Sequence, residues 1–311
     1  KTLKNDELEI VKKIIQKEQA SLVRRELYSA VGRLRHTDNN DILLAGLGED
    51  DPKIIMQCIR GLLVHKSNDD ISQRLLSLAD HPNEIIRDVI RYELIDGSGL
   101  SQVKENHVAS PPQLHNKLIH GDVFDSLSAL PDECIHLTFT SPPYYNAKDY
   151  SFYKSYKEYL EFLEKIIKQI HRITKEGRFF ILNTSPVIVP RFSRSHSSKR
   201  YLIPYDIHPR IIDLGFEFIE EIVWKKPEAS AINRNGGFYQ QRKPLMYKAN
   251  HCTESVVVYR KKTKRLIDWN IAQYPDEIIK KSKVLDDDYF RGNVWEIGPS
   301  SSKVHPAIFP L

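Results

Sequence analysis

The stretch Ile135-His136-Leu137-Thr138-Phe139-Thr140-Ser141-Pro142-Pro143-Tyr144 decides the reading of this chain. Its first five residues are a short apolar run of the kind that makes a buried strand. The run ends in polar residues, two prolines and an aromatic side chain. Each proline fixes φ and donates no backbone hydrogen bond, so the turn is stiff and nearby carbonyls are left to face a ligand. Tyr144 adds a flat face for stacking. Together they describe a concave loop at a strand's end, suited to a planar ring carrying an amino group. A Pro-Pro turn that merely ends a strand has the same letters, so the flanks must separate the two readings.

From Asn116 onward, apolar runs of strand length alternate with helical periodicity. This argues an α/β domain with a mostly parallel sheet. Lys117 to His120 reads as a short strand ending in Gly121-Asp122, and Phe124 to Leu130 as a short helix. Leu137 to Thr140 is the strand entering the Pro-Pro loop. Tyr156 to Ile173 is a strongly amphipathic helix, with Tyr159, Leu160, Leu163, Ile166, Ile167 and Ile170 at helical spacing. Phe179 to Leu182, Phe216 to Trp224 and Ser255 to Tyr259 read as further strands. Ile207 to Leu214 reads as a helix ending at Gly215.

Residues 1 to 96 read as all-helical by apolar period. Ile54 to Leu63 and Ile85 to Leu94 repeat at an offset of about 31 residues, apolar on apolar and Arg60 on Arg91. Pro52 and Pro82 precede them, where a first-turn proline fits. A weaker copy begins near Val23. Two readings stand: HEAT-like helical hairpins of a solenoid, or an ordinary helical bundle. Residues 97 to 115, with Gly-Ser-Gly and Pro-Pro and few apolar side chains, read as a linker.

The chain has 311 residues, 41% of them hydrophobic, enough for one large core or two smaller ones. Its net charge of +5 permits nucleic-acid binding. Cys58, Cys134 and Cys252 lie far apart with no Cys-x-x-Cys pair, which argues against a zinc site or a disulfide framework and for a reducing cytoplasm. There is no apolar run of about 18 residues, so no membrane span is expected. The N-terminus lacks the apolar core of a signal peptide.

With its flanks, the Thr-Ser-Pro-Pro-Tyr loop resembles the catalytic loop of the beta-type exocyclic-amino DNA methyltransferases, whose pattern is Ser, Asp or Asn, then Pro-Pro, then Tyr or Phe. Serine in first place, preceded by threonine, resembles the N4-cytosine branch; aspartate is commoner in the N6-adenine branch. The resemblance covers residues 116 to 310. It includes Lys117 to Asp122, Leu127, Leu130-Pro131-Asp132, the Trp224-Lys225-Lys226-Pro227 segment, Arg242, Glu254, Asn293 to Ile297, and His305-Pro306-Ala307-Ile308-Phe309-Pro310.

The resemblance implies a Rossmann-like S-adenosylmethionine-dependent domain over residues 116 to 311, following the helical domain. Ser141, Pro142, Pro143 and Tyr144 would be catalytic. The target base would be flipped from the duplex and stacked on Tyr144, and the Ser141 hydroxyl and Pro142 carbonyl would accept its amino hydrogens. Gly121, Asp122 and Thr140 would lie toward the cofactor, with His305, Pro306 and Phe309 beside its methionine part. Asp122 suits two roles, a hydrogen-bond acceptor for the cofactor and a helix N-cap. Lys225, Lys226, Arg234, Arg242 and Lys243 would contact phosphates, or form a solvated basic loop with Phe238, Tyr239 and Tyr247 interleaved. Residues 262 to 291 would be a short target-recognition region, and no metal is implied.

One departure stands out. In the family a helix and a strand ending in Asp-Pro-Phe-x-Gly-x-Gly follow next, and that glycine turn is absent here. The expectation is a fragment, or a chain completed by a second polypeptide supplying the turn. A cognate restriction endonuclease is the other expected partner. Two rival readings stand: an N6-adenine DNA methyltransferase with an atypical serine, and a DNA-binding scaffold without activity.

Overall fold

The structure is a computed structural model. It describes residues 5–95, 110–145, 153–189, 193, 195–227, 252–263, 276–281 and 292–298. The chain forms two compact units, Lys1–Gln102 and Val103–Leu311.

The first unit is helical: α1 (Asn5–Lys17), α2 (Ser21–Arg33), α3 (Asn40–Gly46), α4 (Pro52–Leu62), α5 (Asp69–Leu76) and α6 (Glu84–Ile90), with a π turn over Arg91–Ile95. Side-chain caps start three of these helices. Asp51 accepts from the Lys53 amide ahead of Pro52, Asn68 from Asp70 and Ile71, and Asn83 from Ile85 and Ile86. Such caps satisfy amides that the first turn leaves without partners. The two repeating stretches fall on α4 and on α6 with its π turn, and they are not equivalent in packing. Ile54 is buried whereas its counterpart Ile85 is exposed. Pro52 occupies the first turn of α4, but Pro82 lies ahead of the Asn83 cap.

The second unit is α/β. Its strands are β1 (Ile135–Thr140), β2 (Thr174–Thr184), β3 (Val187–Val189), β4 (Lys199–Tyr201), β5 (Phe216–Lys225), β6 (Thr253–Lys261) and β7 (Val294–Glu296). Its helices are α7 (Val123–Ser128), α8 (Tyr156–Ile173), α9 (Ile203–Asp213) and α10 (Asp276–Lys281). The main sheet has the order β1-β2-β6-β5-β7, and β3 and β4 form a separate antiparallel pair.

Four of the five strands run the same way, as expected of a mostly parallel sheet, and the expectation is corrected only by β6, which is reversed. β1–β2 and β5–β7 are parallel, while β6 runs antiparallel to both its neighbours. The parallel pair β1–β2 has the helical crossover α8 between its strands, as parallel neighbours require. β5 and β6 are consecutive without a described helix between them.

α8 shows how the sequence places the core. Ser155 caps it by accepting from the Glu158 amide at 3.1 Å. Tyr159, Leu160, Leu163, Ile166, Ile167, Ile170 and Ile173 form its buried stripe, as the helical spacing predicts. All but Ile173 pack with Phe180 and Leu182 of β2, Val257 and Tyr259 of β6, and Ile203, Ile207 and Ile211 of α9. Gly215 follows α9 at φ +100, a left-handed conformation that favours glycine, and a Cβ there would also sit tightly, 3.0 Å from His171 Nε2.

Lys117 to His120 forms no strand, correcting another expectation. Leu118 is 98% exposed. A strand forms only where a neighbour pairs its backbone, and no described strand lies beside this segment. β1 is therefore an edge of the sheet among the described residues, with Leu137 and Phe139 exposed. Among the described residues no helix is long and apolar enough to cross a membrane.

Candidate active site

Four chain segments reach one end of the sheet together. Thr140 ends β1, with Ser141 next, and Asn183 and Thr184 end β2. β6 runs the other way and so contributes its start, Thr253 and Glu254, while Trp224 and Lys225 end β5, with Lys226 next. The ladder pairs Thr184 with Ser255 and Trp224 with Glu254. Carboxyl ends of parallel strands form the ligand crevice of open α/β sheets, so the Pro-Pro loop sits where such a crevice is expected.

Glu254 is the centre of this end. It is 2% exposed, and its carboxylate accepts from three side chains on three other segments. The Tyr144 hydroxyl donates to Oε2 at 2.5 Å and Asn183 Nδ2 donates to the same oxygen at 2.8 Å. Lys226 Nζ donates to Oε1. A buried charge needs both a counter-charge and hydrogen bonds, and Glu254 has them. Removing one member of such a pair costs about 3–5 kcal/mol because the other charge is stranded. The Lys226 ammonium also lies 3.7 Å above the Trp224 ring, and Trp224 Nε1 donates to the Ile297 carbonyl at 2.8 Å.

The Pro-Pro loop is clamped on both sides. Tyr144 is held by Glu254. Tyr145 is buried against three tyrosine rings, with centroids 5.2 Å from Tyr156, 5.7 Å from Tyr159 and 5.0 Å from Tyr201. Ser141 and Pro142 are half-buried and Pro143 is exposed. Ser141 Oγ lies 3.5 Å from Asn183 Nδ2, at the outer limit of a hydrogen bond. Two buried acceptors at the end of β2, Asn183 Oδ1 and Thr184 Oγ1, have no hydrogen-bond partner among the described residues. Orphaned buried polar atoms beside an unfilled hydroxyl suit a ligand that brings N–H or O–H donors.

Asp122 caps α7, accepting through Oδ1 from the amides of Phe124 at 2.8 Å and Asp125 at 3.2 Å. Gly121 and Asp122 are exposed, and Thr140 is half-buried at the end of β1. Lys225 is exposed and pairs with Glu296 on β7 at 2.7 Å. Lys226, expected in a solvated basic loop reaching phosphate, is instead 7% exposed and paired with Glu254. Side chains alternate across a strand, so of two adjacent lysines at its end one faces water and the other the interior. Arg234, Arg242, Lys243, His305, Pro306 and Phe309 lie outside the described residues, as do Phe238, Tyr239, Tyr247 and most of residues 262 to 291.

The sequence reading gave Glu254 no role and passed over Asn183 and Tyr145. A signal for Asn183 existed: Phe179-Phe180-Ile181-Leu182 is followed by Asn183-Thr184-Ser185, a polar triplet at the carboxyl end of a buried strand.

Residues 135–311 match the family N6_N4_Mtase, described as DNA methylase. Among curated relatives, the chain is 27% identical over 198 residues to the type II beta methyltransferase M.BslI of Bacillus sp. (strain NEB-606), covering 56% of this chain and 22% of that protein. It is 36% identical over 107 residues to the type II methyltransferase M.ScaI of Streptomyces caespitosus, covering 34% of this chain and 33% of that protein. It is 26% identical over 136 residues to the type II methyltransferase M.MwoI of Methanothermobacter wolfeii, covering 42% and 20%. The chain thus spans a fifth to a third of these relatives' lengths. Similar solved structures include TTHA0409 of Thermus thermophilus complexed with S-adenosyl-L-methionine, at 20% identity and TM-score 0.44 over 63% of this chain and 68% of that one. Another is the cytosine-N4-specific PvuII DNA methyltransferase, at 20% identity and TM-score 0.41 over 61% and 64%.

Proposed function

The chain belongs to the N6_N4_Mtase family of DNA methylases, and from that premise we propose that it is the part of a site-specific DNA methyltransferase that carries the target-base pocket. The reaction is transfer of a methyl group from S-adenosylmethionine to the exocyclic amino group of cytosine (N4) in duplex DNA. The observation that carries this reading is the placement of Thr140 to Tyr144 at the carboxyl end of β1, with Ser141 beside Asn183 and Tyr144 fixed on Glu254.

In this reading the target base leaves the duplex and stacks on the Tyr144 ring. The Ser141 hydroxyl and Pro142 carbonyl accept the two amino hydrogens. This draws the nitrogen lone pair out of conjugation and aims it outward. S-adenosylmethionine supplies an electrophilic methyl when bound, and the residues assigned to hold it are Gly121, Asp122, Thr140, His305, Pro306 and Phe309. The orphaned acceptors Asn183 Oδ1 and Thr184 Oγ1 fit a crevice that receives amino and hydroxyl donors. Catalysis by this chain is then a matter of positioning, with no covalent intermediate on a side chain. Cys134 is buried and accordingly has no part in it.

Lys225, Arg234, Arg242 and Lys243 are assigned to phosphate contacts, which set register on DNA rather than sequence. Lys226 leaves that set and joins the pocket wall. A polypeptide bearing a glycine-rich cofactor turn, and a restriction endonuclease of the same specificity, are the proposed partners.

The test is incubation with labelled S-adenosylmethionine and mixed-sequence duplex DNA, then mass analysis of the nucleosides. N4-methylcytosine supports the whole reading. N6-methyladenine keeps the class and overturns the base. No product, even with a glycine-turn segment added in trans, favours the scaffold reading.

A further inference from the structure

We infer that Glu254 is a positioning residue for methyl transfer: it fixes the ring of Tyr144 and sets the direction of the hydrogen bond that Asn183 offers to Ser141. This rests on the proposed function and adds to it a residue to which the sequence reading assigned no role.

Donor and acceptor types dictate the orientation. A carboxylate has only lone pairs to offer. Asn183, 1% exposed, must therefore turn its amide nitrogen toward Glu254 Oε2, at 2.8 Å. An amide nitrogen carries two hydrogens, and the second faces Ser141 Oγ at 3.5 Å. Ser141 thus receives a hydrogen from Asn183. One of its lone pairs is occupied, the other is left for an amino hydrogen of the target, and its own hydrogen points elsewhere. Lys226 supplies the counter-charge to the Glu254 carboxylate within the protein. Oε2 also accepts from Tyr144, so one buried oxygen aligns the stacking ring and the hydroxyl-orienting amide together.

If Glu254 became an amide, it could donate as well as accept. Asn183 could then reverse, and its oxygen would face Ser141 instead. The shape of the pocket would survive while its hydrogen-bond direction would not. The contact to Ser141 is long here, and such contacts tighten when a substrate closes the site.

The experiment compares wild-type protein with Glu254→Gln and with the double variant Glu254→Gln/Lys226→Met, which leaves no buried unpaired ammonium and guards against simple misfolding. Two readouts are taken. The first is hydrogen exchange at the amides of Ser141, Tyr144 and Tyr145, which needs no turnover. Exchange should quicken about tenfold there, with the amides of β2 and α8 unchanged. The second is methyl transfer, where kcat should fall about 10- to 100-fold with KM for DNA and cofactor within about twofold. The loss that Tyr144→Phe is expected to cause in the wild-type background should also shrink in the Glu254→Gln background, since both changes act on one bond. Unchanged loop exchange, an unchanged kcat, a loss confined to KM or additive variants would each overturn the inference. Wild-type protein that transfers no methyl group even with a glycine-turn segment added in trans sinks the proposed function, and hydrogen exchange then decides by itself whether Glu254 fixes the Tyr144 loop.

Discussion

The Tyr144 hydroxyl donates to Glu254 Oε2 at 2.5 Å, across 110 residues of sequence. The ring at the end of the Pro-Pro loop is thereby oriented by the start of β6. A stacking platform held in place loses less entropy on binding than one that must be ordered by the ligand. Tyr144→Phe keeps the ring and removes the bond. Glu254 retains Asn183 and Lys226, so a stability loss of about 1–3 kcal/mol and a several-fold lower kcat are expected. Tyr144→Ala removes the platform as well, and methyl transfer should fall about 10- to 100-fold, matching the roughly 1–3 kcal/mol of base–aromatic stacking. Thermal melts with initial rates measure both, and a folded Tyr144→Ala protein at wild-type rate contradicts the assignment.

Ser141 separates the chemistry from the scaffold more cleanly. It is half-buried and its contact to Asn183 is 3.5 Å long, so little stability depends on it. Ser141→Ala should leave the melting temperature within a few degrees of wild type, as expected for about 0.5 kcal/mol or less. The rate should drop about 10- to 100-fold through loss of one positioned acceptor. Equal binding of a duplex with an unpaired target base by both proteins would place the loss in the chemical step. A weakened duplex affinity with unchanged kcat would move Ser141 to a binding role.

The parts of this fold legible in the sequence are those set by local periodicity. The α8 stripe from Tyr159 to Ile170, the strand entering the Pro-Pro loop and the glycine ending α9 each depend on residues within a few turns of one another. Pairing partners are a different matter. Glu254 meets residues 28, 71 and 110 positions away, and no short window carries that information. The antiparallel placement of β6 is likewise invisible in an apolar run that fits either direction. Lys117 to His120 has strand letters but no described neighbour, and a strand is a property of a pair. Lys225 and Lys226 look alike in sequence, and only the sheet decides that one faces water and the other Glu254.

The helical unit offers a packing test independent of any activity. α2 and α4 cross at two glycines: a Cβ on Gly61 would lie 2.8 Å from the Gly32 Cα and 2.8 Å from Leu43 Cδ1. A Cβ on Gly32 would meet the Gly61 Cα at a milder 3.2 Å. Alanine gains about 1 kcal/mol of helix propensity over glycine, against an overpacking cost of about 1–3 kcal/mol. Gly61→Ala should therefore destabilise the unit, and Gly32→Ala should cost less or nothing. Chemical denaturation of the two variants checks the order, and a Gly61→Ala protein more stable than wild type would contradict the close crossing.

The same unit should lose stability in alkali, for a reason located at two side chains. Burial pushes the Cys58 thiol up from 9.0 to about 12, with Glu49 adding to it. Burial, then Glu49, likewise pushes the Tyr28 phenol up from 10.0 to about 12. Both are acids kept neutral in the fold. Below pH 9 neither state ionises them and their full contribution is present. Between 9 and 12 the unfolded chain releases protons that the folded one retains, so unfolding becomes progressively easier as pH rises. Melting of wild type should fall across that window, and Tyr28→Phe should flatten the slope by removing one of the two groups. Thiol alkylation supplies a second check: at pH 8 the half-buried Cys252 should react before Cys58, which is fully buried. A slope unchanged by Tyr28→Phe, or a Cys58 that reacts as fast as Cys252 in the folded protein, would mean that the α2–α4 core is open to water.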